Sequence, residues 1–196
     1  MYSSKTAEVH KVYPDDWRLS DPSDASRSPV LIIGLGNPIL GDDGVGWRVA
    51  EQVAQRFNYL PAILSGSVRP PQAASALQVE VDCLSVGGLT LMERMIGYRR
   101  VIIVDALETG QHPVGSVVKY SLVELPERAL GHLCSAHDTT LQNALRVGKS
   151  MGAEIPEEIL VIGIEAAQVV DFSEQLTPDV LNAIPIAVEQ VMELII

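Results

Sequence analysis

Only two cysteines occur in the 196 residues, Cys83 and Cys134, and they do not form a C-x-x-C pair. That excludes a cysteine-only structural zinc site and fits a reducing cytosol. Basic residues are also scarce, with 14 Lys and Arg against 25 Asp and Glu, for a formal net charge of −11. A phosphate backbone is bound by clustered Lys and Arg, so nucleic acid is a poor partner for this chain. Acidity by itself implies little beyond solubility. No apolar run is long enough for a membrane span, and the first residues (MYSSKTAEVHKVYPDDW) lack the apolar stretch of a secretory signal. These absences leave a cytoplasmic enzyme or small-molecule binder with no membrane partner.

What is present has a clear order. Residues 1–28 mix charges with Ser, Pro and Asp without periodicity and read as an N-terminal extension; residues 29–196 read as a single domain. Val30-Leu31-Ile32-Ile33 is a continuous apolar run, the pattern of a strand buried on both faces. After the loop Gly36 to Asp43, a helix is predicted with Val45, Val49, Val53 and Phe57 on its inner face, capped by Asp42 or Asp43. Gln78–Cys83 reads as a strand, and Leu89–Ile96 as a short helix with Leu89, Met92 and Ile96 inward. Val101–Val104 is a second apolar strand that Asp105 ends, Gly115–Leu122 a half-exposed strand, and Thr139–Met151 a helix stopped by Gly152. Ile159–Ile164 is a third apolar strand. Thr177-Pro178 then opens a last helix with Leu181, Ile184, Val188 and Val191 inward and a kink at Pro185. Apolar strands alternating with amphipathic helices predict an α/β sandwich with a mostly parallel central sheet.

In such sheets ligands bind beyond the C-terminal ends of the strands, so polar residues just after strands are the candidates. Asp43 lies in the glycine-flanked loop after the first strand. One acid of the Asp42-Asp43 pair can cap the helix while the other faces the crevice; alternatively both simply favour the helix dipole. His137, in Ser135-Ala136-His137-Asp138 ahead of a helix, is either a metal ligand or general base, or a surface histidine at a loop end. His10, His112 and His132 have no such context. Asp82, near the end of the second strand, is either a ligand or general base, or a turn-forming aspartate. Two carboxylates and an imidazole suit a borderline divalent ion such as zinc or nickel.

The segment Gly34-Leu35-Gly36-Asn37-Pro38-Ile39-Leu40-Gly41-Asp42-Asp43-Gly44-Val45-Gly46 resembles the N-terminal signature of the hydrogenase maturation proteases: a strand, a G-x-G-N turn, two acids and G-x-G. Val101 to Ala106, Pro113-Val114-Gly115, Ser135 to Asp138, Ile162 to Glu165 and Leu176-Thr177-Pro178 resemble the later motifs of that family, in order. The resemblance implies a three-layer, phosphorylase/hydrolase-like α/β sandwich. It implies an endopeptidase that trims the C-terminal extension of a nickel-iron hydrogenase large-subunit precursor, using nickel supplied by the substrate and bound transiently. It also implies a cytoplasmic monomer. The implied metal ligands are Asp43, Asp82 and His137, with Asp43 and His137 catalytic and Gly36, Asn37 and Asp105 supporting the site. The chain departs from the family at the middle ligand. Where the family has D-G-G-[ST], Ser85-Val86-Gly87-Gly88-Leu89 stands here, so alignment on the glycines puts Val86 at the acid position, and a short insertion makes Asp82 the substitute.

Three other readings compete. Peptidyl-tRNA hydrolases also open with a strand and G-L-G-N-P, but this run continues into Gly41-Asp42-Asp43, and the net charge of −11 fits tRNA poorly. A dinucleotide-binding loop needs a third glycine where Ile39 stands. A non-catalytic adaptor of the same fold, binding a hydrogenase subunit without cutting it, accords with the altered middle motif.

Overall fold

The computed structural model describes residues 30–57, 79–125, 140–167, 169–170 and 172–195. The N-terminal extension and the Ser135 to Asp138 motif, with His137, lie outside the described residues. The elements run β1 (Val30–Leu35), α1 (Val45–Arg56), β2 (Val79–Leu84), α2 (Gly88–Met95), β3 (Arg100–Leu107), β4 (Val117–Ser121), α3 (Leu141–Ser150), β5 (Glu158–Glu165) and α4 (Pro178–Ile195). They build one sheet in the order β2-β1-β3-β5-β4. All its pairings are parallel except β4 with β5. None of the described helices is long and apolar enough to cross a membrane.

The strands are continuous apolar runs because both sheet faces are covered. Leu31, Ile33, Leu35, Val101 and Ile103 share a core with Leu91 and Met95 of α2 and Leu141 of α3. Val30, Ile32, Ile102, Val104 and Ile162 share the other with Val45, Val49 and Val53 of α1 and Ile184, Val188 and Val191 of α4. Leu31, Ile32 and Ile33 are fully buried, and each such side chain stabilises the fold by roughly 1.5–3 kcal/mol. A polar substitution at any of them would bury an unsatisfied polar group in one of the two cores and destabilise the fold.

Several expectations are corrected. Helix α2 starts at Gly88 and buries Leu91, Met92 and Met95, whereas Leu89 and Ile96 are exposed at 41% and 40%. In α4 the inward stripe begins at Val180, and Leu181 is 55% exposed. The stripe Val180, Ile184, Ala187, Val188 and Val191 follows i, i+4 and i+7 spacing, which leaves position 181 outside it. Strand β3 does not stop at Asp105 but continues to Leu107, so Asp105 is held inside the sheet, paired with Gly163. Neither Asp42 nor Asp43 caps α1, whose N-cap is Gly44 without a side-chain hydrogen bond.

β1 sits between β2 and β3, with α1 on one face and α2 on the other. Chain direction therefore diverges at the C-terminal ends of β1 and β3, which is the switch point where α/β sheets open a crevice. Two glycines bring α1 down onto that point. A Cβ on Gly46 would lie 2.3 Å from the Leu35 carbonyl oxygen and 2.4 Å from that of Val104, and a Cβ on Gly34 would lie 2.4 Å from the Gly46 carbonyl oxygen. Only backbone approaching backbone fits there.

Candidate active site

The loop after β1 is built around Asp43. Gly36 adopts φ 123°, and a Cβ there would come within 2.0 Å of the Asp43 carbonyl oxygen, so both conformation and space require glycine. The Gly36 N–H donates to the Leu84 carbonyl at 3.1 Å, and the Ser85 hydroxyl donates to the Gly36 carbonyl at 2.6 Å. These bonds tie the loop to the end of β2. The Asn37 N–H then donates to Asp43 Oδ2 at 2.7 Å, while Asn37 Oδ1 accepts from the Ile39 N–H at 3.3 Å and closes a side-chain turn. A 3-10 turn over Gly41–Gly44 carries both acids into the protein. Asp42 and Asp43 are 0% and 1% exposed.

Gly36 and Asn37 thus occupy supporting positions around Asp43. Asp105 lies near it from β3. Its carboxyl is fully buried, and neither oxygen has a hydrogen-bond partner among the described residues. Burial raises its pKa well above the ordinary carboxylate range, and the charge of Asp43 raises it further. The Ala106 N–H opposes the shift but falls outside hydrogen-bonding geometry. A carboxylate anchored by an amide, beside a carboxyl held neutral, pairs a base or cation ligand with a group that can donate a hydrogen bond.

Asp82 is placed differently. It is paired in register with Ile33, two residues before the end of β2, and lies roughly 7 Å back along the strand from Leu84. Its Oδ2 accepts from Arg94 Nε of α2 at 2.5 Å. The same guanidinium binds Glu80 at 2.5 Å and the Tyr98 hydroxyl at 2.9 Å, and the Tyr98 hydroxyl also donates to Glu80. The structure therefore brings Asp43 and Asp105 together and engages Asp82 in an ion-pair network. Among the described residues no group of three metal-ligating side chains is gathered.

Cys83 is no nucleophile. Burial, with smaller contributions from Glu51 and Asp82, pushes its thiol up to about 12, so it stays protonated near neutrality. A groove of about 780 Å³ between α1 and the start of α4, lined by Arg48, Glu51, Gln55, Glu174 and Leu181 among others, contains none of the site acids. Two contributors escaped the sequence reading. Ser85 looked like part of a departed motif but braces Gly36. Asp42 looked like a cap for α1, yet accepts from the Thr177 N–H at 2.6 Å and the Thr177 hydroxyl at 3.0 Å at the start of α4. The one available signal was Thr177-Pro178, an N-cap pair whose acidic partner lies far away in sequence.

The chain has recognisable relatives. The family profile described as hydrogenase maturation protease, HycI, matches residues 77–194. The hydrogenase expression/formation protein HupD of Thiocapsa roseopersicina is 24% identical over 168 residues, which span 86% of this chain and 68% of that protein. The hydrogenase 2 maturation protease of Escherichia coli is 26% identical over 163 residues, 83% of this chain and 88% of the relative. Among solved structures, the NiFe hydrogenase maturation protease HybD from Thermococcus kodakarensis matches with a TM-score of 0.55 at 26% identity, covering 86% of this chain and 99% of that one. With the profile spanning more than half of its length, the chain belongs to the hydrogenase maturation protease family.

Proposed function

We propose that this protein is the endopeptidase that removes the C-terminal extension of a nickel-iron hydrogenase large-subunit precursor after nickel insertion, in the cytoplasm. The observation that carries this reading is Asp43, a buried carboxylate anchored at the switch point by the Asn37 amide. Nickel arrives as part of the substrate, bound by the precursor, and Asp43 and His137 complete its coordination. Asp82 joins as the further acid, which requires it to exchange Arg94 for the metal. The substrate's nickel would supply Lewis-acid polarisation of the scissile carbonyl, or Asp43 would act as general base on a water; the water attacks the carbonyl carbon, and the tetrahedral species collapses with proton transfer to the departing amine. Asp105, buried near Asp43 with its pKa raised by burial and by the charge of Asp43, adds no second negative charge beside that carboxylate. A precursor without nickel lacks the group that these ligands recognise, so metal loading acts as the checkpoint.

The Asp82–Arg94 pairing favours the adaptor as a second reading, because it occupies the acid that the metal site needs. Asp43→Asn separates the two. For the enzyme, precursor cleavage followed by intact mass falls at least a hundredfold while co-purification with the precursor persists. For the adaptor, the unmodified protein already fails to cut a nickel-loaded precursor.

A further inference from the structure

The adjacent acids of the turn have opposite destinations. Asp42 points away from the crevice and is wholly buried. It receives the Thr177 N–H at 2.6 Å and hydroxyl at 3.0 Å, 135 residues distant, and the Ala167 N–H at 3.4 Å, 125 residues distant. We propose that Asp42 is a positioning residue for Asp43, fixing the rotation of the 3-10 turn by anchoring it to the segment between β5 and α4. The inference rests on the reading of Asp43 as the reacting carboxylate.

The argument is geometric. A 3-10 helix has 3.0 residues per turn, so neighbouring side chains diverge by about 120°. Once Asp42 is pinned to Thr177, Asp43 has one direction left, toward the Asn37 amide and Asp105. The anchor is not incidental to a loose loop. The Gly41 N–H donates to the Ser173 carbonyl at 2.7 Å, and the Ser173 N–H donates to the Ile39 carbonyl at 3.0 Å. Leu40 and Ser173 form a parallel bridge. These backbone ties hold the loop's position, and the Asp42 side chain adds a side-chain tie to the start of α4 that fixes the orientation of the turn. The start of α4 suits the role, because its N-terminal amides and dipole favour a carboxylate there. On the opposite side the Ser85 hydroxyl holds Gly36, so Asp43 is braced between β2 and α4.

The Asn37 N–H to Asp43 Oδ2 bond gives a readout independent of activity. Amide hydrogen exchange at Asn37 is compared in the unmodified protein, Asp42→Ala and Asp42→Asn, with the amides of Ile102 and Ile162 as core references. Asparagine keeps one acceptor for the Thr177 N–H. The expected result is exchange at Asn37 at least tenfold faster in Asp42→Ala with the core amides unchanged, and most of the protection restored in Asp42→Asn. In parallel, kcat for precursor cleavage falls at least tenfold in the alanine variant with KM within twofold, and the asparagine variant recovers most of it. Should Asp42→Ala fail to fold, Thr177→Val, which removes only the hydroxyl donor, is expected to speed Asn37 exchange several-fold. Unchanged exchange at Asn37, equal acceleration at the core amides, or an asparagine variant no better than alanine each overturns the proposal. An unmodified protein that cuts nothing overturns the protease reading instead, while the exchange comparison still decides the role of Asp42.

Discussion

Replacing Asp105 with asparagine should stabilise the protein, by an amount that grows with pH. The Asp105 carboxyl is fully buried without a hydrogen-bond partner among the described residues, and burial, then the charge of Asp43, holds its pKa well above the usual range. In the unfolded chain the same group titrates near the ordinary value of about 3.9. Between those two values the native state holds a proton that the unfolded state releases. The number of protons bound is then larger in the native state, so stability falls as pH rises through that window. One proton corresponds to about 1.4 kcal/mol per pH unit. Asparagine has the same shape and no proton to lose. Near pH 4 the difference between the two proteins is the pH-independent baseline of the substitution, on which the pH-dependent gain is superposed. From pH 5 upward the variant should gain about 1.4 kcal/mol on the unmodified protein for each unit until the raised pKa is passed. For a chain of this length that is about 3–6 °C in Tm per pH unit. Urea denaturation at half-unit steps from pH 4.5 to 7.5, followed by circular dichroism, measures it. Parallel stability profiles for the two proteins would refute the assignment of a buried neutral carboxyl.

Gly46→Ala places a Cβ 2.3 and 2.4 Å from the Leu35 and Val104 carbonyl oxygens. It should cost about 1–3 kcal/mol in urea denaturation and lower precursor cleavage by more than that loss explains, because lifting α1 displaces the Asp43 turn. Arg94→Leu leaves Glu80 and Asp82 without their shared cation. With side-chain exposure of 23% at Arg94, it should destabilise by about 2–3 kcal/mol, less than the ~3–5 of a fully buried pair, and Arg94→Lys should recover only part because it cannot hold both acids and Tyr98 at once.

The layers of the fold were legible because burial on both faces leaves a strong mark. Val30 to Ile33, Val101 to Val104 and Ile159 to Ile164 are apolar runs that only an inner parallel strand uses. The spacing of Val45, Val49 and Val53 likewise gave the inner face of α1. Short helices were less determined. In the eight residues of α2 and its C-cap, apolar side chains at 89, 91, 92, 95 and 96 allow two inward faces, and the choice depends on where β2 releases the chain at Leu84. Asp105 was read as a strand terminator because a charged residue normally leaves the sheet; its burial follows from β3 running on to Leu107 between β1 and β5, and that burial, then the charge of Asp43, raises its pKa, which no local pattern encodes. Of the candidate site, the Gly36 to Gly46 loop was readable from its glycines and acids. The division of labour between Asp42 and Asp43 was not, since it is decided by Thr177 at a separation of 135 residues. The network that engages Asp82 was equally hidden, because Arg94 is an ordinary surface-type residue on a helix until the helix docks beside β2.

The central claim is that this chain cuts a hydrogenase precursor and that nickel in the substrate licenses the cut. It is tested most directly by incubating the full-length protein with its large-subunit precursor, prepared with and without nickel, and weighing the products by intact mass spectrometry. The account predicts loss of a single C-terminal peptide from the nickel-loaded precursor and an unchanged mass for the nickel-free one. An unchanged mass for a precursor whose nickel content has been verified, or equal cleavage of both forms, would contradict it.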